Sequence, residues 1–208
     1  MRPHTFSPLY GLFLGLVGAL APPEAPAQTL PRAAAAPTHV WAAEAWTGIG
    51  AGPRIEALGL PVTGATTLLG AEAYYGRRAT PVLTVGIGVG GTYLRRGGSV
   101  GPDGYRAAAW RATLTPALDL AVTEAWTVGA GAEVRTAADL VDFHARADRN
   151  VRTRLLLRVR RRIGHHLDAV LAVAEGFPRR REARADVTHF LDPARSARLG
   201  LLYRLRAS

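Results

Sequence analysis

The sequence predicts an all-β protein, built as a single antiparallel up-and-down barrel of eight strands, or ten, that crosses a membrane. Three observations support this fold class. Eight segments alternate apolar side chains with polar or small ones, an apolar N-terminal segment resembles a secretion signal, and the connections between segments are alternately long and short. Because successive side chains of a strand point to opposite faces, this alternation gives each strand one face for hydrocarbon and one for the barrel interior.

Residues 1–27 are predicted to be a signal peptide. The apolar run Leu9–Ala21 is 13 residues long, which is too short to cross a bilayer as a helix. Ala25-Pro-Ala27 then matches the small-x-small rule for cleavage. Residues 28–38 are expected to form a flexible leader, and residues 39–208 are expected to form the barrel. No later segment has 18 consecutive apolar residues, so helices that span a membrane are not predicted.

The clearest alternation lies in Val151–Arg162. Arg152, Arg154, Arg158 and Arg160 fall on one face, and the odd-numbered residues between them are threonine, leucine or valine. On a helix the same arginines would be scattered around the whole cylinder. The pattern therefore favours a strand with one face toward lipid and one toward the interior.

The connections between the eight segments provide the second argument for a membrane barrel. Four long connections (52–65, 95–103, 136–150 and 177–194) alternate with three short ones (77–81, 116–119 and 163–165). An outer-membrane barrel with both termini on the periplasmic side has this order, since its outer loops are long and its periplasmic turns are tight. Weak alternation in Val141–Arg146 and Ala183–Phe190 leaves ten strands open. The eight predicted strands are His39–Ala51, Thr66–Gly76, Val82–Leu94, Gly104–Thr115, Leu120–Arg135, Val151–Arg162, His166–Gly176 and Arg195–Arg206.

The composition limits the possible partners and chemistry. The formal net charge is +10, and all 26 basic residues are arginine. Such an excess suits nucleic acid, anionic lipid headgroups or an anionic substrate. Nucleic acid is not expected as a partner, because the arginines alternate with lipid-type residues and no aromatic stacking motif lies between them. The absence of cysteine excludes disulfides, thiolate metal sites, cysteine nucleophiles and a lipoprotein anchor.

The predicted interior contains a network of opposite charges. An eight-stranded barrel has a lumen that its own side chains fill, and the planar fork of arginine suits bidentate pairing with carboxylates. The arginines outnumber the acids, which leaves open a path or pocket that prefers anions if the barrel is wider than eight strands. The predicted network consists of the acids Glu44, Glu72, Glu133 and Asp168 and the arginines Arg111, Arg135, Arg152, Arg154, Arg158, Arg160, Arg198, Arg204 and Arg206.

Aromatic side chains are predicted in two belts on the outer face. Trp41, Tyr75 and Trp126 fall near the periplasmic strand ends, and Tyr93 falls near an outer end. Aromatic rings at these levels anchor a barrel at the two membrane interfaces.

Arginines in two of the long connections are candidate contacts for lipopolysaccharide phosphates. Arg95 and Arg96 lie at the base of one connection, and Arg179–Arg181 and Arg184 lie in the last. Arginine binds phosphate well, although a solvated loop explains the same residues.

Three motifs bear on enzymatic chemistry. Gly86–Gly91 formally matches the dinucleotide pattern GxGxxG, but no helix follows it, so no cofactor is expected. His165 and His166 are adjacent and would point to opposite sides of a strand, so no metal site is expected. Ser196 with His189 and Asp192 leaves open an outer-leaflet lipid-modifying enzyme, although a non-enzymatic role is favoured.

The signal peptide, the alternating strands and the order of the connections together resemble the small outer-membrane β-barrel proteins of Gram-negative bacteria. The second half also resembles a family of outer-membrane barrels of unknown function, through Glu133-Val-Arg135, Arg152–Arg160, Glu175-Gly-Phe177 and Arg198-Leu-Gly-Leu-Leu-Tyr203. The resemblance implies an outer-membrane location, contact with lipid including lipopolysaccharide, and insertion by the barrel-insertion machinery. Barrels of this kind usually end on an aromatic residue that this machinery reads, whereas this sequence ends Leu205-Arg-Ala-Ser208, so either Tyr203 serves here or the end is atypical.

Overall fold

The computed structural model describes residues 38–51, 55–57, 60–62, 64–100, 102–138, 147–176 and 193–207. The predicted signal peptide and leader lie outside these residues, apart from Thr38. No helix long and apolar enough to cross a membrane occurs in the described part of the chain. Its ten strands are β1 His39–Ala51, β2 Ile55–Ala57, β3 Leu60–Val62, β4 Ala65–Arg78, β5 Leu83–Val100, β6 Asp103–Ala121, β7 Trp126–Ala138, β8 Ala147–Arg162, β9 Leu167–Gly176 and β10 Arg195–Ala207.

Eight of these strands form the wall of a closed antiparallel barrel, which confirms the predicted fold class. The order around the wall is β1, β4, β5, β6, β7, β8, β9 and β10, so each wall strand pairs with its neighbours in sequence. Pairing of β10 with β1, from Val40 with Ala207 to Ala51 with Arg195, closes the ring. A closed wall leaves no strand edge open to pair with another chain.

Strands β2 and β3 are additional to the wall. They form a short hairpin in the first long connection, and Val62 of β3 pairs with Val100 at the end of β5. The predicted alternative of ten strands depended on residues 141–146 and 183–190, which lie outside the described part of the chain.

Two predicted connections are wrong. Residues 95–100 continue β5, which stays paired with β6 up to Val100 and Asp103. Residues 116–119 lie inside β6, and the turn that follows comprises residues 122–125. Pro116 suggested a turn, but it is accommodated where the β6–β7 ladder is interrupted between its pairs Leu114–Val134 and Ala117–Gly131. Proline is tolerated at such a position because its backbone nitrogen, which has no hydrogen, need not donate to the ladder there.

The barrel has two distinct ends. One end, here called the short-turn end, contains the turns 79–82, 122–125 and 163–166 and both ends of the wall sequence. Two backbone hydrogen bonds join these segments: the Arg78 amide donates to the Thr38 carbonyl, and the Arg204 amide donates to the His166 carbonyl. In two of the turns a threonine hydroxyl accepts a hydrogen bond from the first amide of the next strand, at 3.0 Å for Thr80 and 3.1 Å for Thr123. Three longer connections, between β1 and β4, β7 and β8, and β9 and β10, lie at the opposite end, the long-connection end, together with the two-residue connection between β5 and β6.

The burial pattern is inverted relative to that of a water-soluble protein. Exposed and buried residues alternate along β1 and β4, as the period of a strand requires. Arginine, glutamate, aspartate and threonine are prominent among the buried side chains, whereas large apolar side chains are exposed on the outer face. Examples of the exposed set are Ile49, Leu69, Val85, Ile87, Val89, Leu114, Leu118, Leu199, Leu201 and Leu205.

Candidate functional site

The barrel interior contains the charged residues that are candidates for function. Between the two rims, eight arginines and five acids of the described chain face inward. They fall into separate groups along the barrel. The arginines are Arg96, Arg111, Arg135, Arg154, Arg158, Arg160, Arg198 and Arg204, and the acids are Glu44, Glu72, Asp119, Glu133 and Asp168.

The Asp119 cluster consists of Asp119, Tyr74, Arg158 and Arg160. Arg158 donates to both carboxylate oxygens of Asp119, at 3.0 Å from Nε and 2.8 Å from Nη2. Arg160 lies 2.9 Å from the same carboxylate, and the Tyr74 hydroxyl donates to it at 2.6 Å. Both guanidinium groups also lie over the Tyr74 ring, 5.0 and 5.7 Å from its centroid. The cluster thus joins β4, β6 and β8 across the lumen through charge-assisted hydrogen bonds and cation–π contacts.

The Glu133 cluster consists of Glu133, Arg135, Arg154 and Arg198. Arg154 donates to Glu133 Oε1 from Nε at 3.2 Å and from Nη2 at 2.7 Å. Arg135 and Arg198 form further ion pairs with the same carboxylate. Arg154 also donates to the Pro193 carbonyl at 3.1 Å, so the cluster extends to the last long connection. One buried carboxylate therefore holds three arginines from β7, β8 and β10.

Glu44 and Glu72 form a third feature, a pair of acids directly opposite each other on β1 and β4. The Thr115 hydroxyl donates to Glu72 at 3.1 Å. The Glu44 Oε2 atom accepts no hydrogen bond and lies 4.0 Å from Arg158, which already binds Asp119. Like charges directly opposite on paired strands destabilise a sheet.

Replacing Glu72 with Gln is therefore expected to stabilise the barrel by about 0.5–1 kcal/mol, because the amide removes the facing charge. Its carbonyl can still accept the Thr115 hydrogen bond. The free energy of unfolding in urea measures the effect. Thr115→Val, which removes the hydroxyl and leaves both carboxylates, serves as a control and is expected to destabilise. A loss of stability in Glu72→Gln would show that an ionised Glu72 is required.

The predicted charge network also includes residues outside these three groups. Asp168 and Arg204 pair at the short-turn end, where Arg204 Nη2 lies 2.8 and 2.6 Å from the two carboxylate oxygens. Arg111 is buried on β6. Arg152 pairs in register with Arg135, and Arg206 with Trp41, but their side chains lie outside the described part.

The sequence reasoning missed several interior residues. Asp119 falls in a predicted turn but lies in β6. If β6 is extended to residue 121, the strand alternation places Asp119 on the inward face with Thr113 and Thr115. Arg96 was expected at the base of a solvated loop, but it is 2% exposed and faces inward, whereas Arg95 is exposed. The extended β5–β6 hairpin explains this correction. Tyr74 and Trp46 are also interior, on the face opposite to their neighbours Tyr75 and Ala45.

Two aromatic side chains fill the lumen above glycines. The Trp46 ring lies on Gly70, and the Arg198 guanidinium lies 4.2 Å from the Trp46 ring centroid. The Tyr74 phenol occupies the space above Gly86. A Cβ atom at either glycine would overlap the ring, so small residues on one strand make room for large ones on the next. Gly86, the first glycine of the Gly86–Gly91 motif, therefore serves interior packing.

The predicted interface aromatics are found on the outer face. The ring centroids of Trp41 and Tyr75 lie 4.6 Å apart at the short-turn end. At this end the Arg161 guanidinium lies 5.4 Å from the Trp126 ring centroid. Tyr93 lies toward the long-connection end, where its ring centroid is 5.1 Å from that of Trp110.

Of the three residues that could carry lipid-modifying chemistry, the structure describes Ser196. Ser196 is 2% exposed and faces the barrel interior. His189 and Asp192 lie outside the described residues. A serine enclosed in this way is poorly placed to attack a lipid ester in the outer leaflet.

The chain matches no protein-family model and has no significant match among curated proteins. Its function is therefore inferred from the charged interior and the apolar outer face.

Proposed function

We propose that this protein is an integral outer-membrane barrel with a non-enzymatic role, either structural or in surface interaction. The observation that carries the proposal is the inverted burial pattern of the wall. Val89 and Leu118 are 57% and 53% exposed in mid-wall, whereas Glu133 and Arg135 are 1% exposed. Full burial of one large aliphatic side chain is worth about 1.5–3 kcal/mol, so a wall of this kind favours hydrocarbon over water as its surroundings.

The distribution of aromatic residues supports the same environment. His39, Trp41 and Tyr75 are in contact at the short-turn end, and Tyr93 and Trp110 are in contact toward the other end. Aliphatic side chains occupy the wall between these levels. This is the order of residues expected for a barrel whose aromatic belts lie at two lipid–water interfaces.

The orientation follows from the predicted signal peptide and the two unlike ends. With the short-turn end in the periplasm, the long connections face outward, where Arg179–Arg181 would meet lipopolysaccharide phosphates. Insertion would require the barrel-insertion machinery, with Tyr203 as the aromatic signal near the end of β10.

The filled interior favours a structural role over conduction. Arg158, Asp119 and Tyr74 cross the lumen in direct contact, and Trp46, Leu68 and Leu94 form a buried apolar cluster nearer the long-connection end. An eight-stranded barrel has little internal space beyond what its side chains occupy.

Location is tested by fractionating the membranes and comparing electrophoretic migration with and without boiling. An outer-membrane barrel is expected in the outer-membrane fraction, and its folded form is expected to migrate faster when unboiled. A protein recovered in the periplasm without a heat-dependent shift would contradict the proposal.

The lipid contact is tested by placing an arginine at two depths of the outer face. Val89→Arg, midway along the apolar part of β5, is expected to lower the free energy of unfolding in lipid vesicles by about 2–4 kcal/mol. Ile49→Arg, two residues before the end of β1, is the matched control and is expected to cost about 0–1 kcal/mol. If water surrounds the wall, both substitutions will be nearly neutral, and this outcome would contradict the proposal.

A further inference from the structure

Strand β6 continues beyond the closed wall without a neighbour on one side. Its pairing with β7 ends at Thr113 and Arg135, whereas its pairing with β5 continues to Val100 and Asp103. Past Arg135, β7 changes register and follows β8 instead. In the described part of the chain, the side of β6 that faces β7 within the wall is therefore an open strand edge beyond Thr113.

The direction of the backbone groups follows from the end of the β5–β6 hairpin. Only two residues separate Val100 from Asp103, so this last pair exchanges both of its backbone hydrogen bonds. Because hydrogen-bonded pairs alternate along the ladder, the N–H and C=O groups of Gly104, Arg106 and Ala108 point away from β5. These groups, here called the β6 edge, have no hydrogen-bond partner among the described residues. Such an edge is a template for one more strand.

The β6 edge lies where a polypeptide can reach it. Tyr93 and Trp110 pair in register at the aromatic level nearest the long-connection end, and residues 104–108 lie beyond that level. Gly104 and Arg106 are exposed, and Ala108 is half-buried. The edge is therefore outside the apolar part of the wall, so lipid tails do not cover it.

Two arginines give this part of the hairpin a positive outer face. Arg106 lies on the edge itself, and Arg95 of β5 pairs in register with Ala108, two residues further along. Both arginines are exposed, and within the described residues neither has an ion pair. A residue directly opposite Arg106 on an added strand would have its Cβ atom roughly 5 Å away on the same face. A carboxylate there would accept hydrogen bonds from the guanidinium group.

We propose that the β6 edge binds an extended acidic segment of a partner protein, which adds a strand to β6. Main-chain hydrogen bonds to Gly104, Arg106 and Ala108 supply the affinity, and acidic side chains against Arg95 and Arg106 supply the specificity. This role deepens the surface interaction proposed above and rests on that proposal for the partner's place outside the cell. The edge itself belongs to the folded chain wherever the chain resides.

The probe is a labelled synthetic peptide of seven residues in which glutamate alternates with threonine, and fluorescence anisotropy measures its binding to the full barrel folded in detergent. The wild-type barrel is expected to bind it about 10-fold more tightly than a peptide with glutamine in place of glutamate. Arg106→Gln is expected to reduce this preference.

A pair of substitutions at one position locates the bound peptide. Ala108→Pro removes an outward N–H without removing a bond to β5, and it is expected to weaken binding about 10-fold. Ala108→Ser keeps the N–H and is the matched control, with unchanged affinity expected. Faster migration of the unboiled protein shows that each variant is folded.

Equal binding of the glutamate and glutamine peptides would overturn the proposal. So would undiminished binding of a peptide whose backbone amides are methylated, a result that depends on no variant of the barrel. Unchanged affinity in folded Ala108→Pro would also overturn it, and a barrel dimer that Ala108→Pro dissociates would show that a second copy occupies the edge instead. A barrel that fractionates with the outer membrane but fails to bind the peptide would contradict the acidic partner alone and leave the proposed location standing.

Discussion

Replacing Glu133 with Gln is expected to lower the free energy of unfolding by about 3–5 kcal/mol, because it leaves three arginines in a buried site without their shared carboxylate. Arg135, Arg154 and Arg198 come from three strands and meet at this one side chain. The amide keeps the volume of the carboxyl group, so the loss reports charge and hydrogen bonding more than packing. Urea unfolding of the barrel in lipid vesicles or detergent measures it.

Glu175→Gln is the matched control for this substitution. Glu175 lies on the outer face at the long-connection end and pairs with Arg195 at 3.0 Å, but the side chains are 26% and 42% exposed. An ion pair that water reaches contributes about 0–1 kcal/mol. Equal losses in the two variants would mean that the interior cluster is effectively solvated, and the structural role assigned to Glu133 would then fail.

The period of the strands made much of this interior predictable. Alternation alone placed Glu133 on the same side as Arg135, and Arg154 on the same side as Arg158, since residues i and i+2 of a strand share a face. The convergence of Arg135, Arg154 and Arg198 on Glu133 was not predictable. It depends on the pairing register of β7 with β8 and on the curvature that brings β10 across the lumen.

The errors of prediction arose where a local signal opposed the alternation. Pro116 indicated a turn, so Asp119 was removed from the strand that carries it. The sequence Arg95-Arg-Gly-Gly98 is polar and rich in glycine, which is typical of a loop. The β5–β6 pairing instead continues through it and turns Arg96 into the interior. In both cases tertiary pairing along a long hairpin outweighed local propensity.

The adjacent tyrosines illustrate what the sequence can and cannot distinguish. Tyr75 was placed on the outer face by parity, and Tyr74 must then face inward. The alternation does not reveal that the Tyr74 hydroxyl reaches Asp119, 45 positions further along the chain. That contact requires Gly86 on the neighbouring strand, because any Cβ atom there would occupy the space of the phenol.

Asp119→Asn is expected to destabilise the barrel by about 3–5 kcal/mol, because Arg158 and Arg160 would lose the carboxylate that both of them bind. Tyr74→Phe separates this electrostatic role from the hydroxyl contact. It removes one hydrogen bond to Asp119 and keeps the ring under both guanidinium groups, so a smaller loss of about 1–2 kcal/mol is expected. Unfolding free energies of the two single variants and of the double variant, measured in the same lipid, provide the comparison.

The double variant tests whether the cluster acts as one unit. If the hydroxyl matters mainly because it binds the carboxylate, the two losses will not add, since Asp119→Asn already weakens what Tyr74→Phe removes. Additive losses would instead indicate that the ring and hydroxyl contribute independently of Asp119. A larger loss in Tyr74→Phe than in Asp119→Asn would contradict the assignment of Asp119 as the centre of the cluster. It would make the phenol the main connection between β4 and β6.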